Sequence, residues 1–187
     1  NYALNPALSK EAFIKEVLHG LVTPPSYFPK NVLMNIQGYD SIDEVIDRGT
    51  HALSPDAFEA AANETDAVIL DTRKPAEFGA GFIPNSINIG VDGSFAVWVG
   101  TLIPDIRQQI LLVTTPGREQ EVVTRLARVG YDHAIGYLDG GFDAWKNAGK
   151  ETDTIVSLSA EEFAAAEEQD PNINILDVRK KSEYESE

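Results

Sequence analysis

The chain has 187 residues, 43% of them hydrophobic, which is enough for one core of ordinary domain size and some additional segments. Its 15 basic and 30 acidic side chains give a net charge of −15, which argues against nucleic acid or an anionic membrane surface as a partner. The absence of cysteine excludes disulfides, thiolate metal ligands and a thiol nucleophile within this chain.

The first fifty residues predict helices and turns. The spacing of apolar residues predicts a helix over residues 9–21, capped by Ser9 and ended by Pro24 and Pro25. A short apolar stretch follows, and then a helical turn that ends near Gly49. No strand is predicted in this region, so it does not form a core alone.

From about residue 51, short β-branched runs alternate with helical patterns. The strand candidates are residues 67–70, 87–89, 110–113 and 134–135. The helix candidates are residues 55–62, 95–102, 118–129 and 142–147. This alternation is typical of an α/β fold with a parallel sheet flanked by helices, and it predicts one domain over residues 51–150.

The chain also resembles itself at an offset of about 105 residues. The segment 53–58 resembles 158–163, and 69–73 resembles 175–179. Residues 157–187 are therefore interpreted as the truncated start of a second copy of the domain. A single strand and helix cannot bury a parallel sheet, so this segment either docks elsewhere or belongs to a longer chain, and we favour the longer chain.

Four motifs over residues 51–150 resemble those of a rhodanese-like domain. They are the segments 70–78, 81–89, 130–132 and 138–145. The resemblance implies a three-layer α/β fold. Within it, Asp71, Arg73 and Glu77 are predicted to be scaffold residues, because an Asp71–Arg73 pair at the end of a buried strand can brace the next loop.

The catalytic feature of that family is a loop after a central strand, which begins with a cysteine and whose N–H groups cradle sulfur and an anionic substrate. The corresponding residues here are Thr114, Thr115, Pro116, Gly117 and Arg118. Alignment on Gly117 puts Thr114 at the position of the cysteine, to within one residue. A threonine hydroxyl is not ionised at neutral pH, so we predict a degenerate loop with no catalytic residue.

The charges behind the loop allow two interpretations. Glu119 and Glu121 would weaken binding of thiosulfate beside Arg118, but carboxylates in a first helical turn also stabilise the helix dipole, and we favour the second interpretation. An alternative function is residual anion binding, or catalysis without a thiol, at Gly117, Arg118 and the N–H groups at the helix start.

Other kinds of site find little support. His19, His51 and His133 lack the short spacing of a metal site, so no cofactor is predicted for this chain. Neither a G-x-S-x-G motif nor a nucleotide-binding glycine loop is present. Trp98 and Trp145 are expected to be packing anchors on helices.

Residues 1–48 resemble the helical C-terminal tail of a metallo-β-lactamase-fold hydrolase, through residues 5–8 and 24–29. Fusions of that fold with rhodanese domains resemble persulfide dioxygenases and glyoxalase II-like enzymes. The resemblance implies an upstream domain that holds Zn or Fe, and a second rhodanese domain as a further partner, with a homodimer left open.

The expected function is therefore that of a catalytically inactive rhodanese-like domain with a structural, docking or regulatory role in a larger metallo-hydrolase or sulfur-metabolism protein. A second alternative places sulfurtransferase activity in the truncated second copy. Because the sequence has neither a membrane-spanning run nor a signal peptide pattern, a cytoplasmic location is expected.

Overall fold

The computed structural model describes residues 8–19, 24, 27–170, 172–179 and 181–186. Within these residues, five parallel strands form one sheet in the order β1-β5-β4-β2-β3. The strands are β1 (Ala52–Leu53), β2 (Val68–Asp71), β3 (Ile87–Asn88), β4 (Ile110–Val113) and β5 (Ala134–Leu138). The predicted α/β fold with a parallel sheet is confirmed.

The helices that precede the sheet or connect its first strands are α1 (Lys10–Leu18), α2 (Tyr27–Gln37), α3 (Ile42–Gly49), α4 (Pro55–Glu64) and α5 (Pro75–Ala80). The later helices are α6 (Phe95–Leu102), α7 (Glu119–Ala127), α8 (Gly141–Asn147), α9 (Ala160–Gln169) and α10 (Lys181–Tyr184). None of the helices in the described residues is long and apolar enough to cross a membrane.

Strand β4 lies at the centre of the sheet and separates two hydrophobic cores. All four of its residues are buried, as expected for a central parallel strand covered on both faces. Ile110 and Leu112 point to one core, and Leu111 and Val113 point to the other, because successive side chains of a strand alternate between faces. The result is a helix–sheet–helix arrangement of three layers.

Several boundaries differ from the prediction. The described part of α1 ends at Leu18, and Pro25 lies outside the described residues. Helix α2 covers a stretch that was predicted to be apolar but was not predicted to be a helix. The helix tolerates Pro29 because this is its third residue, where no intrahelical N–H donor is needed. Strand β1 was not predicted, because two residues are too few to show a period.

Helices α2 and α3 pack on the sheet domain. Tyr27 and Val45 are buried members of the core that also contains Ile110. A Cβ atom added to Gly100 would lie 2.2 Å from the ring of Tyr27, so a glycine in α6 is required for this close approach. The domain boundary predicted at residue 48 stays a prediction, but the packing joins α3 to the sheet.

The C-terminal segment does not join the sheet. Residues 173–178 form no strand, and Ile175, Leu176 and Val178 are exposed. Helix α9 buries none of its residues. The local geometry of the motif is nevertheless present, because Arg179 donates to the Asp177 carboxylate from its backbone N–H at 2.9 Å and from Nη2 at 2.8 Å.

The turn after α7 buries two polar residues. The Tyr131 hydroxyl donates to the carbonyl of Ile103 at 2.5 Å, and burial raises the pKa of Tyr131 to about 12. Asp132 is only 8% exposed, and burial raises the pKa of its carboxyl group. Burial of an ionised carboxylate disfavours the folded state, so Asp132 lowers stability at neutral pH.

We therefore expect Asp132→Asn to increase the free energy of unfolding at pH 7. The increase should shrink as the pH falls through the pKa of folded Asp132, and should vanish below the ordinary aspartate pKa, where the wild-type side chain is neutral in both states. Urea denaturation at several pH values measures the effect. Asp47→Asn, at an exposed position of α3, should lack this pH dependence.

Candidate functional site

The loop from Thr114 to Arg118 connects the central strand β4 to helix α7. Thr114 is buried, whereas Thr115 and Pro116 are exposed. The N–H of Arg118 donates to the carbonyl of Thr115 at 3.1 Å, which closes a tight turn. Gly117 has a φ of +89°, a left-handed conformation that favours glycine.

The turn between β5 and α8 lies directly against this loop. Gly140 and Gly141 both have positive φ, at +72° and +62°. A Cβ atom on Gly141 would lie 3.0 Å from the carbonyl oxygen of Thr114, so a side chain there would press on the loop. The Gly140–Gly141 pair of the sequence motif therefore allows the two backbones to approach closely.

The two segments enclose a cavity of about 360 Å³. Its lining consists of Arg73, Glu77, Ala80, Gly81, Thr114, Thr115, Pro116, Gly140, Phe142, Asp143 and Lys146. Three of the five predicted loop residues thus line the cavity. Gly117 and Arg118 lie instead along neighbouring surface grooves.

Asp71 and Arg73 form the predicted ion pair, and Arg73 lines the cavity. Nε and Nη2 of Arg73 donate to the Asp71 carboxylate at 2.6 to 3.1 Å. Nη2 also donates to the carbonyl of Gly81 at 2.8 Å, and the guanidinium lies 4.3 Å from the ring centroid of Phe142. One arginine therefore ties the end of β2 to the loop after α5 and to helix α8.

Two further residues support this side of the cavity. The amide of Asn88, which the sequence analysis missed, donates to the carbonyls of Asp71 and Arg73 at 3.0 Å each. Its signal was its position at the end of the adjacent strand β3, where its side chain can reach the end of β2. Glu77 accepts from the backbone N–H of Lys74 at 3.0 Å and so caps the start of α5.

Glu119, in the first turn of α7, places its carboxylate inside the loop. Its Oε1 accepts the Gly117 N–H at 2.9 Å and faces the Thr114 hydroxyl at 3.4 Å. A loop N–H that could bind an external anion therefore already donates to a carboxylate of the chain itself. The favoured interpretation of Glu119 as a helix-stabilising carboxylate omitted this contact with the loop.

Arg118 is likewise occupied by carboxylates. It donates to both oxygens of Asp92, at 2.9 and 3.1 Å, and to Glu121 at 2.8 and 3.1 Å. These hydrogen bonds from Arg118 lower the pKa of Asp92 and of Glu121, and the two carboxylates raise the pKa of Arg118. The geometry therefore gives no support to the alternative of an anion site at Gly117 and Arg118.

The remaining sequence candidates lie apart from the cavity. No group of three or more His, Asp or Glu residues among the described part of the chain could hold a metal ion. Trp145 is buried, and its Nε1 donates to the carbonyl of Glu151 at 2.7 Å, as expected of a packing anchor. The same expectation for Trp98 is wrong, because 54% of that residue is exposed.

The fold and the loop together define a class of protein. Its members are three-layer α/β domains whose candidate site is a loop between a strand and a helix, and this chain has no thiol at that loop. A family model of the rhodanese-like domain matches residues 54–148, just over half of the chain. The chain therefore belongs to the rhodanese-like domain family. A search of curated proteins found no match.

Several solved structures are similar to this chain. A metallo-beta-lactamase from Staphylococcus aureus matches 74% of this chain with a TM-score of 0.58 and 21% identity, and the match covers 37% of that protein. The match to a thiosulfate sulfurtransferase from Pseudomonas aeruginosa covers 78% of this chain and 27% of that enzyme, with a TM-score of 0.48 and 23% identity. The match to the rhodanese-like domain of an Anabaena protein covers 69% of this chain and 93% of that domain, with a TM-score of 0.49 and 17% identity.

The repeat offers a matched test of the Asp71–Arg73 pair. The side chains of Asp71 and Arg73 are 0% and 11% exposed, whereas those of Asp177 and Arg179 are 34% and 42% exposed. Arg73→Met should lower the free energy of unfolding by about 3 kcal/mol, because it leaves a buried carboxylate without its cation.

Arg179→Met is the control, and should change stability by less than about 0.5 kcal/mol because the pair is solvated. Guanidinium denaturation of both variants gives the comparison. Equal losses in the two variants would show that burial of the Asp71–Arg73 pair does not determine its contribution.

Proposed function

We propose that this chain is a catalytically inactive rhodanese-like module with a structural or docking role in a larger sulfur-metabolism or metallo-hydrolase protein. The observation that supports inactivity most directly is the Glu119 carboxylate at the loop, beside a threonine at the expected position of the nucleophile. Thiol chemistry requires a cysteine, and the chain has none.

Catalysis by Thr114 without a thiol finds little support in the geometry. A threonine nucleophile needs a general base within about 2.6 to 3.2 Å. The described contact of the Thr114 hydroxyl is with Glu119, at 3.4 Å, and that carboxylate already accepts the Gly117 N–H. This arrangement stabilises the loop and leaves the hydroxyl without a well-placed base.

Exposed apolar residues at both ends of the chain support a docking role. Near the N-terminus they lie on helices α1 and α2, and near the C-terminus they lie between residues 173 and 178 and on α9. They are Phe13, Ile14, Val17, Leu18, Phe28, Val32, Leu33, Ile36, Phe163, Ile175, Leu176 and Val178. Large exposed apolar surfaces mark interaction sites, so both ends are candidates for covering by further domains.

The proposed partners are an upstream metallo-β-lactamase-fold domain, which would hold Zn or Fe, and a second rhodanese-like domain that begins near residue 157. The likeness to the Staphylococcus aureus metallo-beta-lactamase supports the first, and the internal repeat supports the second. We propose a cytoplasmic location for the assembly, with neither nucleic acid nor membrane as a partner. Formation of a homodimer is a further proposal.

The chain is expected to transfer no sulfur from thiosulfate to cyanide above the rate in buffer. Thr114→Cys should also remain at that rate, because Glu119 repels a thiolate and a sulfur-bearing anion at the same place. A colorimetric thiocyanate assay measures both proteins. Turnover by the wild-type chain would refute the proposal.

The pKa of the introduced thiol tests the role of Glu119 separately, since a cysteine-free chain gives each single-cysteine variant an unambiguous signal. The thiol of Thr114→Cys should titrate above the ordinary value of about 8.5, because it is buried beside a carboxylate. Adding Glu119→Gln should lower that pKa. Thr115→Cys, at the exposed neighbouring position, should titrate near the ordinary value. An unchanged thiol pKa after Glu119→Gln would contradict the contact.

The alternative that the second copy is catalytic makes a distinct prediction. If it holds, the gene should encode a cysteine about 40 residues beyond Asp177, by analogy with the separation of Asp71 and Thr114. A protein extended through that position should then transfer sulfur, and replacement of the cysteine should abolish the transfer. If the extended protein lacked such a cysteine, neither copy of the domain could transfer sulfur through a thiol.

A further inference from the structure

A second cavity, of about 350 Å³, lies between helices α2 and α3 and the C-terminal half of α7. It is separate from the Thr114 loop, which adjoins the opposite end of α7, a helix of nine residues. Apolar walls come from Met34, Ile42, Val45 and Ala127. Its size lies within the usual range for small-molecule sites.

The most unusual group in this cavity is the carboxylate of Asp132. The residue is 92% buried, since only 8% of it is exposed, and it lines the cavity. No hydrogen bond or ion pair joins its carboxylate to any residue that the structure describes. Buried carboxylates are ordinarily paired or hydrogen-bonded, so a carboxylate without a described partner at a cavity has capacity to bind a cation.

The side chains of His133 and Arg48 act electrostatically on Asp132, but neither is hydrogen-bonded to its carboxylate among the described contacts. Nη2 of Arg48 donates to the carboxylate of Asp40 at 3.1 Å and to the backbone carbonyl of Asp132 at 2.7 Å. Arg48 therefore neutralises Asp40 and leaves the Asp132 side chain unpaired. The guanidinium of Arg128 also lies along the cavity, but that residue is exposed to solvent.

A second unpartnered acceptor belongs to Asn31, another residue of the cavity wall. Oδ1 of Asn31 is buried and, within the described residues, has no hydrogen-bond donor. A Cβ atom added to Gly130 would lie 2.5 Å from this oxygen, so the amide is packed against the turn that leads to Asp132. That oxygen is enclosed by protein, so the Asp132 carboxylate is the acceptor with which this cavity would hold a ligand.

We propose that this cavity binds a small primary ammonium compound with a short apolar chain. The ammonium group would donate to the Asp132 carboxylate, and its remaining N–H donors would bind water molecules. The chain would lie against Met34 and Ile42. Charge-assisted hydrogen bonds in a partly dry cavity favour a cation over its neutral analogue.

The probe is n-pentylammonium, added to the complete chain and followed by two-dimensional amide NMR. We expect saturable shifts at millimolar concentration, centred on the Asn31 side-chain amide and on residues 130–132. The neutral n-pentanol and the anionic pentanoate should bind at least about tenfold more weakly, which is the usual effect of one charged hydrogen bond.

Asp132→Asn should weaken n-pentylammonium binding by about tenfold or more, because it keeps the shape and removes the charge. Asp47→Asn, on the exposed part of α3, should bind as the wild type does. Equal binding of n-pentanol and n-pentylammonium, full binding by Asp132→Asn, or no saturable shift near residues 130–132 would each overturn the proposal.

Discussion

The buried ion pair between Asp71 and Arg73 organises the site end of the domain. It sits where β2 leaves the sheet, and the arginine also binds the carbonyl of Gly81 and stacks on Phe142. Three segments of the chain thereby meet at one guanidinium. A planar cation with several donors in fixed directions can do this, whereas a lysine could not satisfy the same set of partners.

The scaffold and the loop differ in what their polar groups bind. The scaffold keeps its ion pair, its close glycine contacts and the Asn88 bridge between two strands. The loop keeps its turn but presents a carboxylate from Glu119 to its own N–H group. The scaffold is thus ordered around a loop whose anion-binding groups are internally occupied, which agrees with the proposed structural role.

The sheet could be predicted well because its strands carry a strong local signal. The run Ile110 to Val113 is apolar on both faces, and its position in the structure agrees with the prediction. The Asp71–Arg73 pair was predictable because both residues lie at one strand end. Strand β1 and helix α2 were missed, since one is too short and the other contains a proline in its first turn.

The contacts of the loop were harder to predict, because they depend on side-chain direction. The sequence shows that Glu119 and Glu121 follow Arg118, but not that one turns back to Gly117 while the other binds Arg118. Likewise, the exposure of Trp98 depends on which face of α6 meets the sheet. Periodicity predicts elements, and tertiary packing then decides which contacts their side chains make.

The turn at Asp177 to Arg179 has a consequence for how the C-terminal segment could acquire a partner. Its hydrogen bonds form although residues 173–178 are not in a sheet, so this turn is encoded locally. Ordering a residue costs about 1 to 2 kcal/mol in backbone entropy. A segment whose turn already exists loses less entropy on docking, which leaves mainly the strand itself to be ordered when neighbouring strands are supplied.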